Sequence, residues 1–439
     1  MNMKSSDQSW GIVGGGILGL TLALRLAQRG KQVTLVEAAP YLGGLAAAWR
    51  LGEVVWDRHY HVTLLSDSHT RSTLSELGLE KEMEWVVTRT GCYAKGKHHS
   101  VSNTLEFLRF PLLGPVDKIR LAWTILYASR LKHWKRLEGI TVADWLTRHS
   151  GKRSFQRFWL PLLRSKLGEN YKLTSAAFIW TTIQRLYAAR RTGLKREMFG
   201  YVPGGYSRIL ERFARMVEEE GVRVHLGQPV QRIAKSGSGI AVACRNGNSR
   251  SFDRVVVTAP APLAAEICEG LTEKERSSLR NVRYQGIVCA SFLLKKPLSE
   301  FYVTNILDEG FPFTGVIEAS ALVDRKHFTG YALVYLPKYL PVDDPFFEAS
   351  DEDVENQFLS GLERMYSTFS REDVLCFKIS RVRHVCPLPT LGYSSSVPEM
   401  KTSVPGLYTV NTSQILNGTL NVNETIQLAE RAVEVLCRA

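Results

Sequence analysis

Trp10-Gly11-Ile12-Val13-Gly14-Gly15-Gly16-Ile17-Leu18-Gly19 is the stretch on which the fold turns. A short apolar strand, 10–13, runs into GxGxxG. Residues 20–28 then carry a helical apolar pattern stopped at Gly30, and a second apolar strand, 31–36, ends on Glu37, an acid 23 residues after the first glycine. This strand, helix and strand form a dinucleotide-binding unit. Gly14 permits a tight turn, Gly16 lets backbone approach a pyrophosphate, Gly19 lets the helix pack on the strand, and Glu37 accepts from ribose hydroxyls. The helix start, Ile17 and Leu18 included, offers free N–H groups and a positive dipole end to phosphates. The fold class that follows is α/β, with a Rossmann-type domain at its centre.

The next glycines separate a flavin from a nicotinamide. In Tyr41-Leu42-Gly43-Gly44-Leu45 a glycine pair follows the ribose acid, which nicotinamide binding does not require. Here the sequence resembles the flavoprotein superfamily of amine oxidases, protoporphyrinogen oxidases, phytoene desaturases and UDP-galactopyranose mutase. The resemblance implies FAD as cofactor, with Gly43 and Gly44 running along its pyrophosphate toward the flavin ring and Leu45 standing where an Arg is usual. A second nicotinamide-binding GxGxxG is absent, so reduction through a dedicated NAD(P)H domain is not expected.

Composition bounds the partners. The 439 residues are 44% hydrophobic and 23% charged, enough for a large core in two or three units and unlike a disordered or collagenous chain. The net charge of +13 favours an anionic substrate or an anionic membrane surface. Without a recognised binding module, no nucleic acid partner is expected. Seven cysteines with no CxxC and no Cys/His pairing at ligand spacing read as a reduced, cytoplasmic protein without structural metal. The uncharged run 8–24 holds five glycines and lacks a small-residue cleavage site, so it is not read as a signal peptide.

Helical spacing returns over 117–136, 141–149, 155–167 and 175–189, and a helix over 206–220 follows Pro203-Gly204-Gly205. Strands are expected at 223–226 and 228–233, a hairpin closes at Asn246-Gly247, and a buried strand spans 252–260. Residues 286–340 alternate as sheet strands. The 406–411 strand and the 421–434 helix resemble the family's closing elements. The resemblance assigns 1–90, 200–285 and 385–439 to an FAD-binding domain. Interleaved with it, 91–199 and 286–384 form a substrate-binding domain of mixed sheet plus a helical insert serving as cap.

The same resemblance brings the backbone of Val230 to the adenine and puts Asn411 where the closing strand usually ends in small residues. It sets Asn423, Glu424 and Thr425 at a helix start facing the flavin pyrimidine. A carboxylate there, Glu424, disfavours an anionic reduced flavin. In the family, residues matching 54–64 pass the flavin. His59 and His61 are therefore the candidate catalytic residues for moving a proton, since an unperturbed imidazole titrates near neutrality. Tyr60, Tyr302, Asn305, Glu318 and Tyr393 are candidates for substrate binding.

The basic cluster Arg185, Arg190, Arg191, Lys195 and Arg196, near Tyr187, can hold an anionic small-molecule substrate. It can also join the 118–136 helix, whose stripe of Ile119, Trp123, Leu126 and Tyr127 is flanked by basic residues, in peripheral contact with the inner surface of a membrane. The expected activity is that of an FAD-dependent oxidoreductase oxidising or desaturating a small-molecule or lipid-like substrate by hydride transfer to flavin. The alternative is a non-redox sugar-ring mutase resembling UDP-galactopyranose mutase.

Overall fold

The computed structural model of the chain describes residues 8–189, 198–416 and 418–438. Ser9–Val13 is the central strand of a five-stranded parallel sheet in the order Arg223–His225, Gln32–Val36, Ser9–Val13, Arg254–Val257, Leu407–Thr409. Its alternation is two-sided. Trp10 and Ile12 pack under the helix Ile17–Ala27 and the closing helix Val422–Arg438, while Val13 joins Val255 and Val257 on the other face. Leu20, Leu22, Leu24 and Leu26 are all buried, because the first helix is covered by the sheet and by Val422–Arg438 together.

Where the strand meets that helix, Gly14 adopts φ +111°. A Cβ on Gly19 would lie 1.8 Å from the Gly14 carbonyl oxygen, so only glycine lets the helix begin this close to the strand. The turn falls at the topological switch point, between Gln32–Val36 on one side and Arg254–Val257 on the other, where open α/β sheets bind ligands.

The second large sheet has seven strands in the order Val374–Pro387, Tyr284–Leu294, Ala332–Pro341, Gly315–Glu318, Val303–Ile306, Thr90–Ala94, Lys97–Ser100. It is antiparallel except where Val303–Ile306 runs parallel to Thr90–Ala94. All eleven residues of Tyr284–Leu294 are buried. Val288, Ala290 and Phe292 face one apolar layer while Ile287, Cys289 and Leu293 face another. The expected divisions at 285/286 and 384/385 run through two strands that pair with each other, so the units share continuous backbone there.

The helical insert forms as a layer, with two departures from the sequence pattern. The helix expected over 117–136 is Pro115–Arg130. It stops because the Leu131 carbonyl is taken by Trp180 Nε1 (3.1 Å) and Gln184 Nε2 (3.3 Å) of Ala176–Ala189, an interaction between distant segments that local spacing does not contain. The 155–167 helix opens with a π turn, Phe155–Trp159, before Leu160–Leu167, where Pro161 has no N–H to give. Of the basic cluster, Arg190, Arg191, Lys195 and Arg196 lie outside the described residues. Arg185 is paired with Asp67 at 2.9 Å.

Gly19→Ala is expected to cost about 1–3 kcal/mol of stability through overpacking, lowering the melting temperature by several degrees. An unchanged urea midpoint would show that the helix can retreat freely.

Candidate active site

The nucleotide end is built from backbone. Glu37, at the end of Gln32–Val36, accepts from Gly15 N at 2.5 Å and Ala39 N at 2.7 Å, which fixes its carboxylate beside the glycine turn. Ile17 and Leu18 open the first helix, whose start at Gly16 has no side-chain cap and no acid in its first turn. Gly43 and Gly44 adopt φ +112° and +56°, and Gly43 N donates to Gly15 O at 2.8 Å, closing the pair over the motif. A Cβ on Gly16 would meet nothing nearer than 3.9 Å, whereas those on Gly14 and Gly19 would collide with neighbours at 2.3 and 1.8 Å. Gly16 is therefore free for a ligand rather than for packing. Uncapped N–H groups, a ribose-range acid and an open glycine fit a dinucleotide. Val230 starts its strand just after Gly227 and Gln228, whose N–H groups donate to Ala39 O and Glu37 O, so it leaves from the Glu37 corner.

From the glycine pair the chain runs alongside residues 57–61. Arg58 N donates to Ala47 O at 3.0 Å, and the ring of His59 meets Leu45 O through Nδ1 at 3.1 Å. A carbonyl only accepts, so His59 carries its proton on Nδ1 and presents an unprotonated Nε2. That Nε2 is buried without a hydrogen-bond partner among the described residues. Burial pushes His59 down to about 4 and His61 to about 3.

Both rings are thus neutral near pH 7, and the reason for choosing them, titration near neutrality, does not survive their burial. On the same segment, the group brought into that range is Asp57. Its carboxyl is pushed up to about 7 by burial, against the pull of its hydrogen bond from Tyr206 N (2.7 Å). That bond exists because Gly204 and Gly205, both left-handed, start the helix Gly205–Glu219 directly over Asp57; a Cβ on Gly205 would lie 2.7 Å from Asp57 Oδ1. His61 Nδ1 stands 3.8 Å from Asp57 Oδ2, beyond hydrogen-bond reach.

Asp57 and His61 line a closed cavity with Tyr60, Tyr206, Tyr302 and Tyr335, with room for no more than a few water molecules. It lies between the 57–63 segment, the Gly205–Glu219 helix and the large sheet. The helical insert contributes no residue to its lining. Insert and sheet do meet the 57–61 segment on the far side of Tyr60. There Tyr60 and Tyr339 share a hydrogen bond between hydroxyls at 2.7 Å, and Lys166 Nζ, from Leu160–Leu167, sits 4.8 Å from the Tyr339 ring centre. In the same region Gln285 pairs with Cys386 across the sheet, and its Oε1 accepts from Asn170 Nδ2 at 3.2 Å. Its Nε2 is buried without a partner among the described residues. Lys166, Gln285 and Tyr339 were not among the sequence candidates, and Asp57 stood in the titratable 54–64 stretch with no role assigned to it. The Gly204-Gly205 pair was the available signal for Asp57; the other three come from separate segments with no shared motif.

The remaining candidates are spread more widely. Tyr302 lines the closed cavity. Glu318 faces away from it: Ile317 packs on the Tyr302 side, and strand alternation turns the next side chain to the other face, where it accepts from Leu298 N (3.1 Å) and Ser299 N (2.8 Å). Asn305 sits within the sheet opposite Gly315 and Cys92. Tyr393 donates its hydroxyl to Ser413 O at 2.9 Å. Asn411 accepts from Ser413 Oγ at 2.6 Å and leaves Nδ2 buried and unpartnered among the described residues. Asn423 Oδ1 caps residues 69 and 70, accepting from His69 N (2.9 Å) and Thr70 N (3.2 Å). Thr425 Oγ1 donates to Asn421 O, and burial raises the Glu424 carboxyl.

Comparison with known proteins gives this geometry a context. The family model described as flavin containing amine oxidoreductase matches residues 19–436. Coproporphyrinogen III oxidase of Mycobacterium tuberculosis is 24% identical over 297 residues, 63% of this chain and 64% of its own length. The 15-cis-phytoene desaturase of Narcissus pseudonarcissus is 22% identical over 286 residues, 57% of this chain and 47% of its own. The matches thus span less than two thirds of these relatives. Among solved structures, reduced UDP-galactopyranose mutase superposes with a TM-score of 0.75 at 16% identity, covering 98% of this chain and 94% of that one, a likeness of fold.

The buried titrating groups set opposite pH slopes. Asp57 holds a proton up to about pH 7 folded but only to about 3.9 unfolded, so its contribution to stability falls as pH rises through that window. His59 and His61, lowered by folding, contribute a rise with pH up to about 6.5. Asp57→Asn is expected to flatten the decline above pH 5, gaining more stability at pH 8 than at pH 5 in urea denaturation. Equal gains at both would remove Asp57 from the titration.

Proposed function

This chain belongs to the flavin containing amine oxidoreductases, and we propose that it is an FAD-dependent oxidoreductase. In this reading it oxidises or desaturates a small-molecule or lipid-like substrate by hydride transfer to the flavin. The observation that carries the reading is Gly16, which alone of the three motif glycines spends its missing side chain on open space, between an uncapped helix start and the Gly43-Gly44 pair. Relatives named for oxidation and desaturation support the reaction class. FAD, when bound, supplies the hydride acceptor.

The chain's own residues supply the rest. In this proposal Glu37 takes the ribose; Gly14, Gly16, Ile17, Leu18, Gly19 and Gly43 to Leu45 take the pyrophosphate; Val230 meets the adenine. Asn411 and residues 423–425 border the ring. The division into an FAD-binding and a substrate-binding domain, given above by residue ranges, belongs to the same proposal. In this proposal substrate lies against Tyr60, Tyr339, Lys166 and Gln285. In the same proposal Asp57, close to its balance point near pH 7, takes the proton that leaves with the hydride, with His59 and His61 as neutral rings of the same segment. Peripheral contact with the inner surface of a membrane is part of the proposal; no helix among the described residues is long and apolar enough to cross one.

A second reading, the sugar-ring mutase, is favoured by one observation: the Lys166 ammonium at the Tyr339 ring suits an anionic substrate. The two separate on whether dithionite-reduced protein turns over without consuming an oxidant.

Purified protein is expected to be yellow and to release FAD on denaturation; recovery of FMN or NAD alone contradicts the proposal. Glu37→Ala is expected to weaken FAD binding by about 1.5–3 kcal/mol. Gly16→Ala should keep the melting temperature of the flavin-free protein while losing flavin content, and equal loading would remove Gly16 from the site. His61→Ala and Asp57→Asn are expected to load FAD but slow its anaerobic reduction. Asp57→Asn should also abolish a limb near pH 7 in the reduction rate. Normal reduction per bound flavin in both would make the pair structural.

A further inference from the structure

The outward face of Pro115–Arg130 is apolar where a solvent-facing helix is ordinarily polar. Val116 is 65% exposed, Ile119 71% and Trp123 62%. At 100° per residue they fall within about 60° of one another, with Tyr127 beside them. The inward face buries Leu121 and Ala128 together with two hydroxyls. Thr124 and Ser129 are buried and donate to Arg120 O and Leu126 O. The helix thus satisfies its buried hydroxyls on its own carbonyls and turns Val116, Ile119 and Trp123 to the outside.

The ridge extends to the preceding helix, Thr104–Arg109. Leu105 and Leu108 are 57% and 56% exposed, and Lys118 Nζ donates to Leu108 O at 2.5 Å, holding the two helices together. Cations surround the ridge. Residues 103–136 carry seven Lys and Arg against two acids, Glu106 and Asp117. Both acids are engaged already: Asp117 accepts from Gly114 N (3.2 Å) and pairs with Arg153 (3.3 Å), while Glu106 accepts from Ser102 N (2.9 Å) and faces Arg89 (3.7 Å). No ion pair among the described residues joins either acid to Arg109, Arg120, Arg130 or Lys132.

We propose that this ridge docks the protein on an anionic lipid bilayer, the large apolar side chains entering the acyl boundary and the ring of Lys and Arg meeting headgroup phosphates. Charge decides for a bilayer over a second copy: two copies meeting through this face would bring one cationic rim against another, in a chain whose net charge is already +13. The inference gives the peripheral contact of the proposed function its surface and rests on that reading, but on none of the flavin chemistry. The docking face and Lys166 belong to one helical layer. Trp180 and Gln184 hold the end of Pro115–Arg130, and Leu160–Leu167 carries Lys166 to the Tyr339 ring.

The test is flotation of the full-length, flavin-loaded protein with phosphatidylcholine vesicles, with and without phosphatidylglycerol. Binding is expected only to the anionic vesicles and is expected to weaken as salt rises. Arg120→Gln with Arg130→Gln should lower partitioning about thirty-fold. Ile119→Ser with Trp123→Ser should lower it at least ten-fold, each pair leaving the melting temperature and flavin spectrum unchanged. Arg245→Gln with Lys274→Gln, the same charge removed from exposed positions elsewhere, should stay within about two-fold. Absence of binding to anionic vesicles, or losses equal for all three pairs, overturns the proposal. So does a solution dimer that Ile119→Ser with Trp123→Ser splits, which would give the ridge to a second copy. A protein without flavin or without flavin reduction would refute the redox reading and leave the vesicle result standing.

Discussion

The carbonyl oxygen of Gly14 lies where any other residue at position 19 would carry its Cβ, and the placement of the site follows from that contact. Because the helix begins against the strand, its N-terminus sits at the switch point of the sheet with its N–H groups unclaimed. The Gly43-Gly44 segment is bonded to the same turn, and residues 45–47 are bonded to 58–59. A single close packing thus sets the spacing between the nucleotide end and the side chains proposed to handle the proton.

The elements that depend on local pattern were legible in the sequence. The glycine motif, the first helix, Glu37 and the hairpin at 246–247 need only residue type and spacing, and the helical insert announced itself by period. What the sequence does not carry is which distant segment claims a given group. The Leu131 carbonyl is taken by Trp180 and Gln184, which shortens a helix whose own residues would have continued it. Glu318 reads as a pocket acid by composition, but which face of its strand borders Tyr302 is settled by the sheet's packing. The histidines were found and their chemistry misjudged, since a reference pKa holds for a solvated ring and these two are buried. Lys166, Gln285 and Tyr339 converge from three segments, and convergence of that sort has no signature in a single chain.

The residues around Tyr60 make a region where neutrality is the stable condition. Burial raises the tyrosines and Asp57 and lowers the histidines, which leaves Asp57 close to its balance point near pH 7. Such a setting strengthens whatever charge a bound ligand brings, because few mobile charges are present to screen it. It also makes a lone ionised side chain costly, which fits the sparing use of charge there: one carboxyl, held under a helix start, and one lysine at the rim.

The five-stranded sheet recruits its members in an order with consequences for synthesis. Three strands are made within the first 225 residues, the fourth by residue 257, and the fifth, Leu407–Thr409, only after the whole antiparallel sheet has been translated. Until then Arg254–Val257 has an uncovered edge, and the first helix lacks Val422–Arg438, with which it shares its apolar cluster. Pairing at such separation is slow, and exposed strand edges invite association while it is awaited. The nucleotide-binding sheet is therefore encoded first and completed last, so the nascent chain, more than the finished protein, presents the bare strand edge and helix face that invite association.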